Sequence, residues 1–217
     1  MSENIKVSVT GASASGGTMD GYEFSQDWFK YGPEIWPHLI DMLPKDRSRN
    51  FLEIGSFEGR SASWIAENMM RPYDALVCVD TWEGGEEHHS LDMKEVEKRF
   101  GRNIDRMRFK FPDMTFTKCK GKSVVALAED IEVEFKLYDF IYIDGSHQAP
   151  DVLTDCVMAW QVLNEGGIMG MDDYLWGDPK IPLHRPKPAI DAFVNIFAEN
   201  VAVVHIGYQM IIRKQKA

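Results

Sequence analysis

Two short stretches place acid where a buried strand would end. IYIDGSH occupies 141–147 and MDDY occupies 171–174, so Asp144 is followed 28 and 29 residues later by Asp172 and Asp173. Each acid closes an apolar run of strand length. Three carboxylates gathered in one place repel one another unless a cation sits among them. All-oxygen ligands select a hard ion, Mg²⁺ first, with Mn²⁺ or Ca²⁺ acceptable. His147 lies three residues past Asp144. An imidazole with a pKa of about 6.5 takes a proton near neutral pH. Coordination to Mg²⁺ makes an alcohol more acidic and fixes its oxygen. The group therefore has a coherent task, deprotonating and aiming a hydroxyl. Asp144 and His147 are its catalytic residues, and Asp144, Asp172 and Asp173 are its metal ligands. The plainer alternatives are that Asp144 caps the next helix and that His147 is an ordinary helix-start residue.

A second constellation lies upstream. LEIGSFEGRS (52–61) reads as a strand, a glycine turn and a helix start. Gly55 and Gly59 let backbone approach a ligand closely. Glu53 can accept from a cationic amine, while Ser56 and Ser61 can hold a carboxylate together with exposed helix N–H groups. Asp80 ends the run ALVCVD (75–80), where an acid can bind two ribose hydroxyls. The dinucleotide pattern GxGxxG fails because Phe57 and Arg60 stand where glycines are needed, which disfavours a nicotinamide oxidoreductase. GKS at 121–123 is not a phosphate loop, since Phe116 stands five residues before Gly121. A ligand with an amino-acid end and a ribose end fits S-adenosylmethionine.

Both constellations need strands that deliver them to one rim. Strands are expected at 50–55, 75–80, 114–119, 138–144 and 168–172, with helices at 60–70, 91–106, 123–130, 150–163 and 187–200. Residues 201–214 read as two strands turning near Gly207. The alternation predicts an α/β fold: a mainly parallel sheet with helices on both faces and one antiparallel strand at the close. Ligands in such a sheet bind beyond the carboxyl ends of the strands. Residues 1–20 are rich in Gly, Ser and Thr and read as loose, whereas 21–49 carry many aromatics that pack on the main body, partly as helix. The chain thus divides into an N-terminal extension, 1–49, and a main domain, 50–217. EEHHS (86–90) reads as a solvated loop within a lid at 83–95. The proline-rich stretch 174–188 reads as substrate wall, with Trp176, His184 and Arg185 as contact candidates.

Composition bounds the rest. The chain has 217 residues, 44% of them hydrophobic, and a net charge of -10, which argues against nucleic-acid or anionic-membrane partners. Cys78, Cys119 and Cys156 form neither a disulfide framework nor a zinc knuckle. The sequence shows no signal peptide and no apolar run long enough for a bilayer, so a cytoplasmic protein is expected.

With both sites in hand, the chain resembles the class I S-adenosylmethionine-dependent methyltransferases, and among them the metal-dependent O-methyltransferases of the catechol and of the macrolide and aminocoumarin sugar type. The resemblance rests on FLEIGSFEGRS, VCVDTW, FIYIDGSH and GGIMGMDDY, and runs from about 50 to 214. It implies a three-layer Rossmann-like fold with a seven-stranded sheet and a reversed last strand. It implies that Glu53, Gly55, Ser56, Ser61 and Asp80 line the cofactor site, with Lys122, Ser123 and Trp82 by the adenine and Asp144 counted there as well. It implies Asp144, Asp172 and Asp173 as Mg²⁺ ligands. The position of His147 holds lysine in the catechol enzymes and a proposed base histidine in a macrolide sugar enzyme. The third ligand is asparagine in the catechol enzymes and Asp173 here, and Ser146 replaces an acid found in some sugar enzymes; catechol substrates are thereby disfavoured. The expected reaction is methylation of a hydroxyl on a small polyhydroxylated metabolite or sugar, with self-association left open. Two alternatives remain: a metal-independent methyltransferase acting on a small amine or acid, and an adenosylmethionine-binding protein without chemistry.

Overall fold

The structure is a computed structural model that describes residues 21–85 and 88–216. The N-terminal stretch 1–20 and the Glu86–Glu87 part of the expected lid lie outside the described residues. Seven strands form one sheet: β1 (Asn50–Ile54), β2 (Ala75–Asp80), β3 (Thr115–Lys120), β4 (Tyr138–Ile143), β5 (Leu163–Met171), β6 (Val201–Ile206) and β7 (Met210–Lys214). Their order is β3-β2-β1-β4-β5-β7-β6, with β7 antiparallel to both neighbours. The helices are α1 (Gly32–Ile35), α2 (Arg60–Asn68), α3 (Met93–Lys110), α4 (Ser123–Glu129), α5 (Ala149–Val162) and α6 (Lys187–Ile196). The strand order reverses between β1 and β4, which opens a crevice at their carboxyl ends.

Several boundaries differ from those expected. Gly166 and Gly167 do not stop a helix; β5 already begins at Leu163, beside Tyr138, and a bulge between Tyr138 and Phe140 absorbs the extra residues. The last helix ends at Ile196 and passes into a 3-10 turn, Ala198–Asn200. The aromatic segment 21–49 is helical only in the four residues of α1 and the 3-10 turn Trp36–Met42, so its order comes from packing. Its Tyr22, Phe24, Trp36 and Leu39 are buried against α2, α3 and the sheet.

The two-residue period of the strands decides which side chains meet. Phe51, Cys78, Phe140, Tyr142 and Ile168 face the layer made by α2, α3 and the N-terminal segment. Leu52, Val77, Ile141, Met169 and Ile212 face the opposite layer of α4, α5 and α6. Counting on in twos, Glu53, Asp80, Asp144 and Asp172 fall on the first side. The ladder continues past β4 and β5, where Asp144 N–H donates to Ile54 O at 2.8 Å and Asp172 N–H to Ile143 O at 2.9 Å. The acids therefore stay in strand register at the rim.

At the opposite end of the sheet, β1 and β2 are clamped by a buried ion pair. Arg49 Nη2 lies 2.6 Å from Asp74 Oδ2, with side chains 2% and 0% exposed. Asp74 also accepts from Arg49 Nε at 2.9 Å and from the Arg49 and Arg71 backbone N–H groups, both at 2.8 Å. Removing one partner strands the other charge in the interior. Asp74→Ala is expected to cost about 3–5 kcal/mol of unfolding free energy in urea titration, whereas Asp41→Ala, in the exposed Lys45 pair, should leave the urea midpoint nearly unchanged.

Candidate active site

The glycine turn sits at the mouth of the crevice. Gly55 has φ +88°, and a Cβ there would lie 1.9 Å from the carbonyl oxygen of Asp144. The first residue after β1 thus touches the first residue after β4, and the two constellations of the sequence become neighbours. Both oxygens of Asp80 hold the turn: Phe57 N–H donates to Oδ2 at 2.8 Å and Trp82 N–H to Oδ1 at 2.6 Å. A carboxylate offers about four lone-pair sites, so Asp80 keeps capacity for hydroxyl donors.

Glu53 lies beneath the turn with no exposed surface. Ser61 Oγ donates to its Oε1 at 2.5 Å, while Oε2 has no hydrogen bond of good geometry among the described residues, although the Ser56 hydroxyl and the Cys78 thiol lie beside the carboxyl. Burial pushes the Glu53 carboxyl up to about 7; the Ser61 and Ser56 hydroxyls oppose this and the charge of Asp80 adds to it. A buried acceptor of this kind is costly and fits a ligand carrying an ammonium group. The residues present therefore fit the amino-acid end of adenosylmethionine.

The three residues expected beside the adenine are less uniform. Lys122 is exposed at the N-cap of α4. The Ser123 hydroxyl is engaged by Asp155 Oδ1 at 2.6 Å, a carboxyl that burial raises to about 6. The Trp82 ring is 4% exposed and faces inward, with Phe100 at 4.8 Å and Lys118 Nζ at 4.4 Å from its centroid. Its Nε1–H donates to Phe57 O at 2.8 Å, so Trp82 braces the turn from below. Above the turn, Trp28, Phe57 and His88 form a ring cluster with centroids 5.1–5.7 Å apart, joining the N-terminal segment to the 83–95 loop.

The acidic site lies at the ends of β4 and β5. Ligand atoms of Asp144, His147 and Asp173 all come within 4.8 Å of one another, a spacing that one metal ion can bridge. His147 Nε2 is 2.7 Å from Asp173 Oδ2, with the two side chains 14% and 17% exposed. Asp173 reaches the cluster through a left-handed backbone, φ +54°, and its N–H donates to Asp172 Oδ1 at 2.8 Å. Asp172 itself is turned toward Tyr142, whose hydroxyl it shares with Asp144. Burial and then the charges of Asp172 and Asp173 raise the Asp144 carboxyl well above its ordinary range; burial and Asp173 raise Asp172 to about 6. Carboxyls held this unfavourably gain from a cation, so the carboxylates of Asp144, Asp172 and Asp173 fit a divalent ion, with the His147 imidazole beside them. Ile143, Val152, Met171 and Pro186 wall the cluster, and the Trp176 ring stands 4.3 Å from the His147 imidazole.

A family model described as a methyltransferase domain matches residues 52–174, more than half of the chain. The chain belongs to this methyltransferase family. An uncharacterized protein of Acanthamoeba polyphaga mimivirus is 26% identical over 142 residues, 64% of this chain and 58% of its own; the chain spans little more than half the length of this curated relative. Among solved structures, the O-methyltransferase from Bacillus cereus in complex with SAH matches with a TM-score of 0.58 at 18% identity, covering 85% of this chain and 80% of that one. The MycE methyltransferase of the mycinamycin pathway, in complex with Mg and SAH, matches with a TM-score of 0.58 at 16% identity, covering 88% and 51%. The fold is the class I methyltransferase fold.

The sequence reading of this methyltransferase treats 138–144 as plain core and does not single out Tyr142 or Gln209. Tyr142 was visible in principle, since it lies two residues before Asp144 and must share its face. Gln209, in the β6–β7 turn, carried no signal.

The Glu53 carboxyl supplies a test of the turn. Its pKa is raised in the folded state, so the fold binds more protons than the unfolded chain between pH about 4.5 and about 7. Stability from this group is complete below that window and is lost as pH rises through it. Urea midpoints should show wild type losing about 3 kcal/mol relative to Glu53→Gln between pH 4.5 and 7.5. Parallel profiles would refute the buried, proton-holding role.

Proposed function

We propose that this chain is an S-adenosylmethionine-dependent O-methyltransferase that uses a divalent cation, Mg²⁺ or Mn²⁺, and acts on a hydroxyl of a small polyhydroxylated metabolite or sugar. The observation that carries the reading is the contact between the glycine turn and the acidic site, Gly55 against Asp144. A methyl donor held at one is within reach of an acceptor held at the other.

Glu53 and Ser56 receive the ammonium and carboxylate end of the donor, and Asp80 receives its ribose. The donor supplies an electrophilic methyl on a sulfonium. Asp144, His147 and Asp173 surround the acceptor hydroxyl, with Asp172 behind them. A divalent cation, when bound, makes that hydroxyl more acidic. With its Nε2–H donated to Asp173, His147 accepts the acceptor's proton at Nδ1, and Asp173 steadies the imidazolium that results. Trp176 stands over the imidazole and Pro186 lines the same pocket. The Mg- and SAH-bound MycE and the SAH-bound Bacillus cereus enzyme support both the donor and the cation. Net charge -10 supports a small-molecule partner rather than nucleic acid or an anionic membrane. Among the described residues no helix is long and apolar enough to cross a membrane.

Titration calorimetry with S-adenosylhomocysteine and with MnCl₂ tests this directly. Wild type should bind both, and Asp173→Ala should keep the first and lose the second. His147→Ala should lower kcat on a panel of sugars and polyols by about 10²–10⁴-fold while its S-adenosylhomocysteine affinity holds. Absence of S-adenosylhomocysteine binding would sink the reading. Turnover that survives EDTA would transfer it to the metal-independent alternative.

A further inference from the structure

Beneath the acidic site runs a buried hydrogen-bonded chain that nothing in the reaction above uses. Trp36 Nε1 donates to Gln209 Oε1 at 2.9 Å, Gln209 Nε2 lies 3.3 Å from the Tyr142 hydroxyl, and that hydroxyl contacts Asp172 Oδ2 closely and Asp144 Oδ2 at 3.2 Å. Trp36, Tyr142 and Gln209 are 0%, 0% and 1% exposed.

The chemistry of the first member fixes the direction of all the others. An indole nitrogen only donates, so the Gln209 oxygen must face Trp36. The amide NH₂ then faces Tyr142 and Asp172, and occupies the phenol oxygen as a donor. The phenol retains a single proton and must spend it on a carboxylate. The closer carboxylate is Asp172, which also accepts the Asp173 N–H on its other oxygen. Asp172 is thus held at both oxygens, while Asp144 is left to the cluster with His147 and Asp173.

We propose that Tyr142 is a positioning residue: by donating to Asp172 it locks that carboxylate's rotation, aligns the Asp173 backbone and so sets the spacing of the cation-binding oxygens. Trp36 and Gln209 set the polarity of that bond from the N-terminal segment. The inference rests on the proposed cation site and concerns side chains of this chain alone.

Tyr142→Phe removes the hydroxyl and keeps the ring, which packs on Trp36 at 4.7 Å and Phe29 at 6.4 Å. Two readouts decide the matter. Mn²⁺ affinity by calorimetry should fall about tenfold or more, while S-adenosylhomocysteine affinity stays within twofold of wild type. In the crystal structure of the variant the Asp172 carboxylate should rotate away from its wild-type orientation. Mn²⁺ affinity within twofold of wild type would overturn the proposal. If wild type itself binds no divalent ion, the cation reading fails, and the crystal structure alone judges this inference: a rotated Asp172 supports it and an unmoved one overturns it. Should Tyr142→Phe not fold, Trp36→Phe, which frees the Gln209 amide to turn over, is judged by the same criteria.

Discussion

A missing side chain governs the layout. Gly55 follows β1 with φ +88°, and any Cβ there would overlap the Asp144 carbonyl. Only because that atom is absent can the exits of the two central strands run side by side. The strand order reverses at this point, so the crevice between β1 and β4 is open to a ligand yet narrow enough for groups on both walls to reach it. The glycine turn, Asp80 and the acidic cluster all take their places from that contact.

Burial then sets the electrostatics. Glu53, Asp144 and Asp172 lie on the side of the sheet sealed by α2, α3 and the aromatic segment, and their proton affinities rise because water is excluded. Among the described residues, the buried arginine, Arg49, is spent on Asp74 at the other end of the strands. The sheet is thus polarised along its length, neutralised where β1 and β2 begin and electrostatically unsettled where they end. A site left in this state favours positively charged ligands, and the sulfonium and ammonium of a methyl donor and a divalent ion are all of that kind.

Much of this was legible before any coordinates. Seven strands, the reversed one among them, followed from short apolar runs and glycine stops, and Glu53, Asp80, Asp144 and Asp172 could be placed at one rim because strand ends in a parallel sheet point one way. The sequence reading erred where tertiary pairing overrode local signals. Gly166 and Gly167 look like a helix stop, yet pairing with β4 draws them into β5. The aromatic segment was expected to be partly helical and holds only a four-residue helix and a 3-10 turn, because its shape is set by the surface it covers. Gln209 was invisible, since its partners lie 67 and 173 residues away in sequence.

Asp173 carries a consequence of a different sort. Its backbone occupies the left-handed region, φ +54°, where asparagine and aspartate are tolerated far better than other side-chain-bearing residues. Glycine would fit but would bring no oxygen. Selection at this position therefore explores a very small alphabet. The step from aspartate to asparagine retains the backbone and one ligand oxygen while deleting a unit of charge. Such a position is an evolutionary dial: a lineage can retune how strongly its rim attracts cations by a single-letter change that leaves the architecture around it undisturbed.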